Sequence, residues 1–447
     1  IGNFYLRRIR RIIPLVSFIS VVVLAIGIVV MLPDDLENLA QSVIATNFFG
    51  NNVLQAITTR NYWDVVNEYK PLVHTWSLGI EEQYYLLYPF LFMALGKKRI
   101  AWAPYVLSIL AVISLSLFFG PITEYERFYY LKYRFFELAI GGVFAIALNG
   151  RIAHYLLGPI PILSLLLLLI LPPSAIPSEV RLLLVIFVTA SVLATANNEF
   201  TISCWILSNP VVTYFGKISF SLYMWHQVLL AFARYFAFPE ITPINVILIL
   251  LLMILVSVTT YTIIETPFRN EGRVKTFYLL LLLGGIFVFT NAASWYIYTK
   301  AGVLRDIPEL GISRMKVERG MHAQYNDRIY SYDQQFCGLG GVKVLVVGNS
   351  FARDWANVLL ESRYRDEIEL SYFYLADESK LSDRIRLADV VFIYGGHRDL
   401  VRSHGLDEKK IWSVGTKNFG NSNGYFYNNR GDSYCTQRTH MERGFLE

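Results

Sequence analysis

Charged residues are scarce in this chain of 447 residues. Asp, Glu, Lys and Arg make up 17% of the sequence, whereas about 25% is typical of soluble globular domains. The 3 cysteines are too few for a disulfide scaffold, and their spacing matches no metal-ligand pattern, so we expect no bound metal. Because 54% of the residues are hydrophobic, the composition argues against a wholly soluble chain and indicates a membrane protein.

Long apolar runs fill the part of the chain before Thr299. Each run approaches the ~20 residues with which a helix crosses a hydrocarbon core about 30 Å thick. After Thr299 charged residues become frequent and the apolar runs shorten to strand length, as in Val342–Val347. The pattern predicts a domain boundary near residue 300. It also predicts nine membrane spans, at residues 12–32, 78–95, 101–120, 133–149, 152–171, 179–196, 218–238, 244–264 and 277–298.

The basic residues at the span ends fall on one side of this nine-span arrangement. The opposite loops carry mainly acidic residues, such as Asp34 and Glu68. The basic side of a membrane protein is normally cytoplasmic, and an odd number of spans then exports the C-terminal domain. We therefore expect a multi-pass protein of the bacterial inner membrane with a periplasmic or other extracytoplasmic C-terminal domain, and no nucleic-acid partner. The twelve basic residues are Arg7, Arg8, Arg10, Arg11, Lys97, Lys98, Arg99, Arg151, Lys217, Arg269, Arg273 and Lys275.

Arginines and carboxylates lie close to the apolar spans. Ionisable residues at such positions are costly and are functional candidates. The arginine cluster that ends at Arg11 can anchor the cytoplasmic side of a helix, or it can clamp the phosphates of a nucleotide-bearing donor. Glu81 and Glu82 suit a helix N-terminus only in part, and they are surrounded by His74, Trp76 and Gln83. This crowding of polar groups favours a functional site over a helix cap.

Two further polar groups lie in later spans. Arg134 and Glu137 share a helix face and can neutralise each other, which favours a structural pair. His226 lies about two turns inside an apolar span. A lone histidine there can be a hydrogen-bonded core residue or part of a site.

Five motifs occur in an order that resembles the membrane-bound acyltransferase-3 family, bacterial enzymes that O-acylate cell-envelope or exported polysaccharides. They are FYLRRIRRIIP, HTWSLGIEEQYYLLYP, RFFELAIGG, YFGKISFSLYMWH and IETPFR, within residues 4–270. The resemblance implies a cytoplasmic acyl-CoA donor, usually acetyl-CoA, and a polysaccharide or lipid-linked glycan acceptor handled at or beyond the membrane lipid. It implies donor-binding roles for Arg8 and Arg11, with Arg7 and Arg10 as the alternative frame, and catalytic roles for Glu82 and His226.

Members of that family begin with two further helices, the first of which carries a histidine thought to be catalytic. We expect these helices to precede Ile1 in the natural protein, which would give eleven spans. The expected fold is thus a polytopic α-helical membrane protein followed by a small α/β domain. The expected divisions are a membrane domain at 1–299, a linker at 300–340 and an exported domain at 341–447 that is incomplete at its C-terminus.

The C-terminal domain contains an apolar strand that runs into Gly348-Asn349-Ser350. A strand followed by Gly-x-Ser at a tight turn is one way to present a nucleophilic serine, although many plain strand-to-helix turns look similar. The segment resembles the first block of the SGNH hydrolase-like domain fused to one branch of the family, with Asn349 in place of Asp. The closing Asp-x-x-His block does not occur after Ser350, and His397, His404 and His440 lack the required Asp.

Three functions compete on these patterns. A polysaccharide O-acyltransferase accounts for all five motifs. A transporter or flippase of an envelope glycan or lipid-linked sugar would also have many spans with buried charges, and an exported binding module on an inert anchor is the third reading. We expect catalytic roles for Glu82, His226 and Ser350 and supporting roles for His74, Trp76, Glu81, Arg134, Glu137 and Asn349. An oxidising exported compartment would permit a disulfide between Cys337 and Cys435, but the sequence does not show whether the two cysteines are close in space.

Overall fold

The computed structural model describes residues 2–58, 67–147, 160–195, 202–236, 242–308, 312–315, 320–338, 340–374, 381–394 and 411–414. The chain forms two compact units. The first, here called the helical unit, comprises Ile1–Ala25 and Gln41–Ala292. The second, here called the C-terminal unit, comprises Ile26–Ala40 and Ala293–Glu447. The predicted domain boundaries themselves stay predictions.

Helices account for nearly all of the described residues before Thr299. Each predicted apolar span is helical over most of its described residues, with short non-helical ends such as residues 31–32 and 119–120. Helix suits their composition, because backbone polar groups in hydrocarbon must bond within their own segment. The helices are α1 Gly2–Val30, α2 Pro33–Asn47, α3 Asn51–Thr58, α4 Thr75–Arg99, α5 Ala103–Phe118, α6 Glu124–Tyr129, α7 Leu131–Ala147, α8 Ile160–Ile170, α9 Ser178–Thr195, α10 Ile202–Leu207, α11 Pro210–Phe236, α12 Pro243–Thr260, α13 Thr266–Arg269 and α14 Thr276–Thr299.

Three stretches of helix among the described residues are long and apolar enough to cross a membrane by themselves: Gly2–Val30, Pro243–Arg269 and Thr276–Thr299. The last two are largely unburied within the protein, with 11% and 17% of their most apolar windows covered, which suits contact with lipid. Helix α5 is apolar but has only 16 residues. The helical, membrane-compatible character of this unit is confirmed, and the number of nine spans stays a prediction.

The turn Tyr261–Glu265 joins α12 to α13 as a π-helix. Single π-helical turns within α-helices are rare and frequently lie at functional sites. This turn buries Glu265, whose side chain is 1% exposed. Its position places a carboxylate inside the helical unit directly before Thr266, the first residue of α13.

A parallel four-stranded sheet forms the core of the C-terminal unit, in the order β2-β1-β3-β4. Side chains of the central strand alternate between two cores: Val344 and Val346 lie in one, and Leu345 and Val347 lie in the other. Burial on both faces explains why this strand reads as a continuous apolar run. The elements are α15 Gly320–Tyr330, β1 Val342–Val347, α16 Ser350–Glu361, β2 Ile368–Phe373, α17 Leu381–Leu387, β3 Val390–Tyr394 and β4 Ile411–Val414.

Residues of the expected linker take part in this unit. Helix α15 lies in it, and Ile329 is fully buried in the core that also contains Val344 and Val346. Val303 and Ile312 form a separate small cluster with Leu32 and Met321. The structure therefore adds a packed helix that the linker assignment did not include.

Candidate active site in the helical unit

The arginines near the start of α1 divide between two faces of the helix. Arg8 and Arg11 are three residues apart, so they share one face. The Arg8 guanidinium lies 3.9 Å from the ring centroid of Tyr85 in α4. Both arginines interact electrostatically with Glu81 and Glu82. Helix α1 thus presents two cations to the carboxylates of α4.

Arg10 has a different role. Its side chain is buried, and it donates hydrogen bonds to the carbonyl oxygens of Phe268 and Val274, each at 3.0 Å, and to Thr276 Oγ1 at 2.9 Å. These bonds attach α1 to the connection between α13 and α14. The geometry favours Arg8 and Arg11 over the alternative Arg7 and Arg10 frame, because Arg10 is committed to protein carbonyls.

The acidic pair on α4 is held by close packing of that helix against α3. A side chain at Gly79 would come within 2.9 Å of Asn52 Oδ1 and 3.0 Å of the Phe49 carbonyl oxygen, so this contact needs glycine. Gln83 donates to the same two oxygens, each at 2.9 Å. Gln83 is therefore a packing residue that fixes the rotation of α4 about its axis.

In this orientation of α4, the Oε1 atom of Glu82 is buried and has no hydrogen-bond partner among the described residues. Neighbouring Glu81 is exposed. Buried carboxylate oxygens are normally hydrogen-bonded, so an unpaired one points to a ligand, a water or a catalytic role. The structure places Glu82 beside the two cations that the sequence assigned to the donor.

The imidazole rings of His74 and His226 pack against each other. Their ring centroids are 5.0 Å apart, with the planes at 70°. Nδ1 of His226 contacts the carbonyl oxygen of Tyr223. Because a carbonyl only accepts, Nδ1 carries a proton, and Nε2 is the ring nitrogen that is left to face a ligand. Both ring nitrogens of His74 are buried, and neither makes a well-formed hydrogen bond among the described residues.

One face of α4 connects this histidine pair to the acidic pair. His74, Ser77 and Glu81 follow each other at intervals of three and four residues, so they lie in one row. The row is about 10 Å long at 1.5 Å per residue. One helical turn further along the same face of α4, Tyr85 contacts the guanidinium of Arg8. A polar strip therefore leads from the arginines to the imidazoles.

Trp76, Arg134 and Glu137 form a separate cluster. Arg134 Nε donates to Glu137 Oε1 at 2.7 Å, and its guanidinium lies 5.0 Å from the Trp76 ring centroid. Trp76 also contacts the rings of Phe128 and Tyr129. The ion pair lies within α7, and the cation–π contact of Arg134 with Trp76 ties α7 to α4. These contacts support the structural reading of Arg134 and Glu137 and extend it to Trp76.

In the C-terminal unit, Ser350 is the first residue of α16 and directly follows the turn after β1. Gly348 has φ +145°, and a Cβ there would come within 2.9 Å of the Cβ atoms of Ala352 and Tyr394. Asn349 caps α16 by accepting from the backbone N–H of Phe351 at 3.1 Å. The turn is therefore as tight as expected, and Asn349 has a structural role as a helix cap.

The described surroundings of this turn are polar, and no hydrogen bond from Ser350 to a base occurs among them. Tyr372 donates to the carbonyl oxygen of Gly348 at 3.3 Å, and burial raises its pKa. Asp354 lies one turn after Ser350, and burial raises the pKa of Asp354 to about 6 while Arg353 acts against that rise. No hydrogen bond of the Ser350 hydroxyl occurs among the described residues. The loop with His397, and also His404, His440 and Cys435, lies outside the described residues.

The sequence of the helical unit matches a known family. The model of the acyltransferase-3 family, described as an acyltransferase domain, covers residues 1–265, more than half of the chain. The chain belongs to the acyltransferase-3 family. The matched region is therefore an acyltransferase domain, as the five motifs predicted.

Curated relatives of this acyltransferase-3 protein are O-acetyltransferases by name. Peptidoglycan O-acetyltransferase OatA of Listeria monocytogenes is 27% identical over 297 residues, which is 62% of this chain and 47% of the relative. O-acetyltransferase OatA of Staphylococcus aureus strain NCTC 8325 is 26% identical over 292 residues, 60% of this chain and 48% of the relative. A provisionally named O-acetyltransferase of S. aureus strain COL is 28% identical over 295 residues, 60% of this chain and 48% of that protein. The chain spans about half the length of these relatives. No solved structure matches it.

The acyltransferase-3 unit also contains a buried network that the sequence analysis missed. Glu265 accepts from Ser221 Oγ and from Arg269 at 2.7 Å, and Thr260 connects Ser221 to Trp225 Nε1. Arg11 acts electrostatically on the same carboxylate. The network links Arg11 to α11, on the turn that precedes His226. A carboxylate in the apolar stretch before Pro267 was the signal that could have revealed it.

An apolar cavity of about 630 Å³ lies between α1, the α12–α13 segment and α14. Its polar wall atoms include the hydroxyls of Thr259 and Thr260, which donate to backbone carbonyl oxygens in their own helix. A sugar or a nucleotide would lose its hydrogen bonds to water there without replacement. The cavity therefore suits hydrocarbon and does not form part of the polar strip.

Proposed function

We propose that this protein is an O-acyltransferase that moves an acyl group, expected to be acetyl, from cytoplasmic acyl-CoA to a cell-envelope or exported glycan. The arrangement that supports the proposal is the polar strip: Arg8 and Arg11 face Glu81 and Glu82 at one end, and the imidazole pair lies at the other. Guanidinium groups match phosphate geometry, and a neutral imidazole can take a proton at neutral pH. The relative named a peptidoglycan O-acetyltransferase supports a glycan acceptor.

In this proposal Arg8 and Arg11 bind phosphates of the donor, and the thioester reaches along the strip towards His226. Nε2 of His226 takes the proton of the attacking hydroxyl as its oxygen forms a bond to the acyl carbon. The bond between the acyl carbon and sulfur breaks, and the proton passes to the sulfur to give the free thiol of CoA. Glu82 is the second acid–base group, since its buried Oε1 has no partner among the described residues.

The C-terminal unit takes the second half of the transfer. Ser350 at the start of α16 takes the acyl group from the hydroxyl that received it first: its oxygen bonds to the acyl carbon, the first ester bond breaks, and the serine proton passes to the released oxygen. The glycan hydroxyl then takes the acyl group from Ser350 and its proton returns to Ser350, or Ser350 only orients the glycan, with backbone amides at the start of α16 available for an oxyanion. This assigns the unit to the extracytoplasmic side of the inner membrane, in line with the distribution of basic residues. The SGNH-like interpretation belongs to this proposal and rests on the position of Ser350 after a tight glycine turn.

Release of free CoA thiol by membranes that contain the full chain tests the proposal. His226→Ala should abolish acceptor-dependent thiol release while the protein remains in the membrane. Trp205→Phe is a matched control, because Trp205 is 77% exposed and lies outside the strip. Undiminished thiol release by His226→Ala would contradict the assignment of the base.

A further inference from the structure

Tyr223 connects the two histidine-bearing segments of the helical unit. Its hydroxyl lies 2.6 Å from the carbonyl oxygen of His74 and 3.0 Å from Ser77 Oγ. A carbonyl oxygen only accepts, so the Tyr223 hydroxyl donates to His74 and accepts from Ser77. Both hydrogen-bonding roles of the hydroxyl are then filled, which fixes the direction of each bond.

The backbone of the same residue holds the other histidine. The carbonyl oxygen of Tyr223 accepts from Nδ1–H of His226 one helical turn later. The Tyr223 ring lies 5.0 Å from the His74 ring and 5.8 Å from the His226 ring, centroid to centroid. Tyr223 thus contacts His74 through its side chain and His226 through its carbonyl.

The hydrogen bond from Tyr223 to His74 acts on the turn that leads into α4. His74 ends the turn that leads into α4, and its carbonyl oxygen also accepts from the backbone N–H of Ser77. The His74 ring makes no well-formed hydrogen bond among the described residues, although the backbones of Pro71 and Met224 interact with it. The bond that Tyr223 makes to the His74 backbone therefore adds to weak contacts that hold the ring.

We propose that Tyr223 is a positioning residue for acyl transfer, whose hydroxyl clamps the turn at His74 so that the imidazoles of His74 and His226 stay edge to face. The inference rests on the proposed function, because it assigns the imidazole pair to the transfer step. A positioning residue should change the turnover number and leave donor binding at Arg8 and Arg11 unaltered.

Tyr223→Phe removes one oxygen atom and keeps the ring contacts. We expect kcat to fall about tenfold, with KM for acetyl-CoA unchanged and the same amount of protein in the membrane. The loss corresponds to about 1.4 kcal/mol of transition-state stabilisation. Tyr214→Phe is the matched control, since Tyr214 lies on the same helix and is 43% exposed. It should behave as the wild type.

Ser77→Ala provides a second, independent variant. This substitution removes the hydrogen bond that Ser77 donates to Tyr223 but keeps the one that Tyr223 donates to His74. We therefore expect kcat to fall by less than in Tyr223→Phe. In the double variant the losses should not add, because both changes act on one hydroxyl. Should Tyr223→Phe not accumulate, Ser77→Ala alone decides: a lower kcat at constant KM supports the clamp, and a wild-type kcat overturns it.

The outcomes separate this inference from the function on which it rests. Loss of activity in His226→Ala together with wild-type kcat in Tyr223→Phe would overturn the clamp and leave the acyltransferase proposal standing. Full activity in His226→Ala would overturn both. An unchanged kcat in Tyr223→Phe with lower total activity that follows the protein level, or a rise in KM in place of a fall in kcat, would also overturn a positioning role for Tyr223.

Discussion

Replacement of Arg8 and Arg11 by lysine should show whether binding of the donor needs only their positive charge or also the shape of the guanidinium. Lysine keeps the positive charge but loses the planar fork that binds two phosphate oxygens at once. A hydrogen bond to a charged group contributes about 1.5–3 kcal/mol, and about 1.4 kcal/mol is tenfold in affinity. We therefore expect Arg11→Lys to raise the dissociation constant of acetyl-CoA at least about tenfold, and the double variant to raise it further.

Two neighbouring arginines are internal controls in the same helix. Arg7 is exposed, so Arg7→Lys should leave the dissociation constant of acetyl-CoA unchanged. Arg10 is 4% exposed and bonds to the carbonyl oxygens of Phe268 and Val274, so Arg10→Lys should instead lower the amount of folded protein. Direct binding of acetyl-CoA to purified protein measures the first effect, and protein level in the membrane measures the second. Unchanged binding by the double Arg8→Lys, Arg11→Lys variant would refute the phosphate role.

Four other outcomes are expected. Glu82→Gln is nearly isosteric, so acyl transfer should fall at least tenfold at constant protein level, and a parallel loss of protein would make the residue structural. Ser350→Ala should preserve consumption of acyl-CoA but lower the yield of acylated glycan, and a normal yield would remove serine chemistry from this step. A reporter enzyme that is active only outside the cytoplasm should be active when it is fused to the C-terminus, and a silent reporter would reverse the orientation. Since burial raises the pKa of Asp354 to about 6 in the folded state, the folded unit binds this proton more tightly than the unfolded chain, and its free energy of unfolding should fall as pH rises from about 4 to 6. Asp354→Asn should reduce that fall in urea pulse proteolysis, modestly because the side chain is 41% exposed, and an unchanged pH dependence would contradict the shift.

The sequence predicted the helical unit well because its signals are local. Apolar runs near membrane length must be helical, and those described are helical over most of their residues. The parallel sheet was also predictable in outline, since Val342–Val347 is apolar on both faces and runs into a turn that only glycine fits. The meeting of His74 with His226 was not predictable, because about 150 residues separate them and periodicity carries no information on which helix faces which.

The same limit explains the residues that were missed. Arg10 and Arg11 are adjacent in sequence, and only the three-dimensional arrangement shows that Arg10 is tied to carbonyl oxygens while Arg11 faces carboxylates. In the sequence, Tyr223 is one of several aromatic residues in an apolar helix. Only the structure shows that its hydroxyl bonds to the backbone of the turn at His74. Glu265 was the exception, since a lone carboxylate in an apolar stretch is a signal that can be read from sequence.

Transfer of a labelled acyl group tests the central claim most directly. Cells or membranes with the full natural protein would receive acetyl-CoA labelled in the acetyl carbon, and the envelope glycan would then be isolated and treated with mild alkali. The account predicts alkali-labile label on the glycan with the wild type, little with His226→Ala, and near-normal label with Trp205→Phe. Labelled glycan at wild-type level in the His226→Ala strain, or none with the wild type despite consumption of acetyl-CoA, would contradict it.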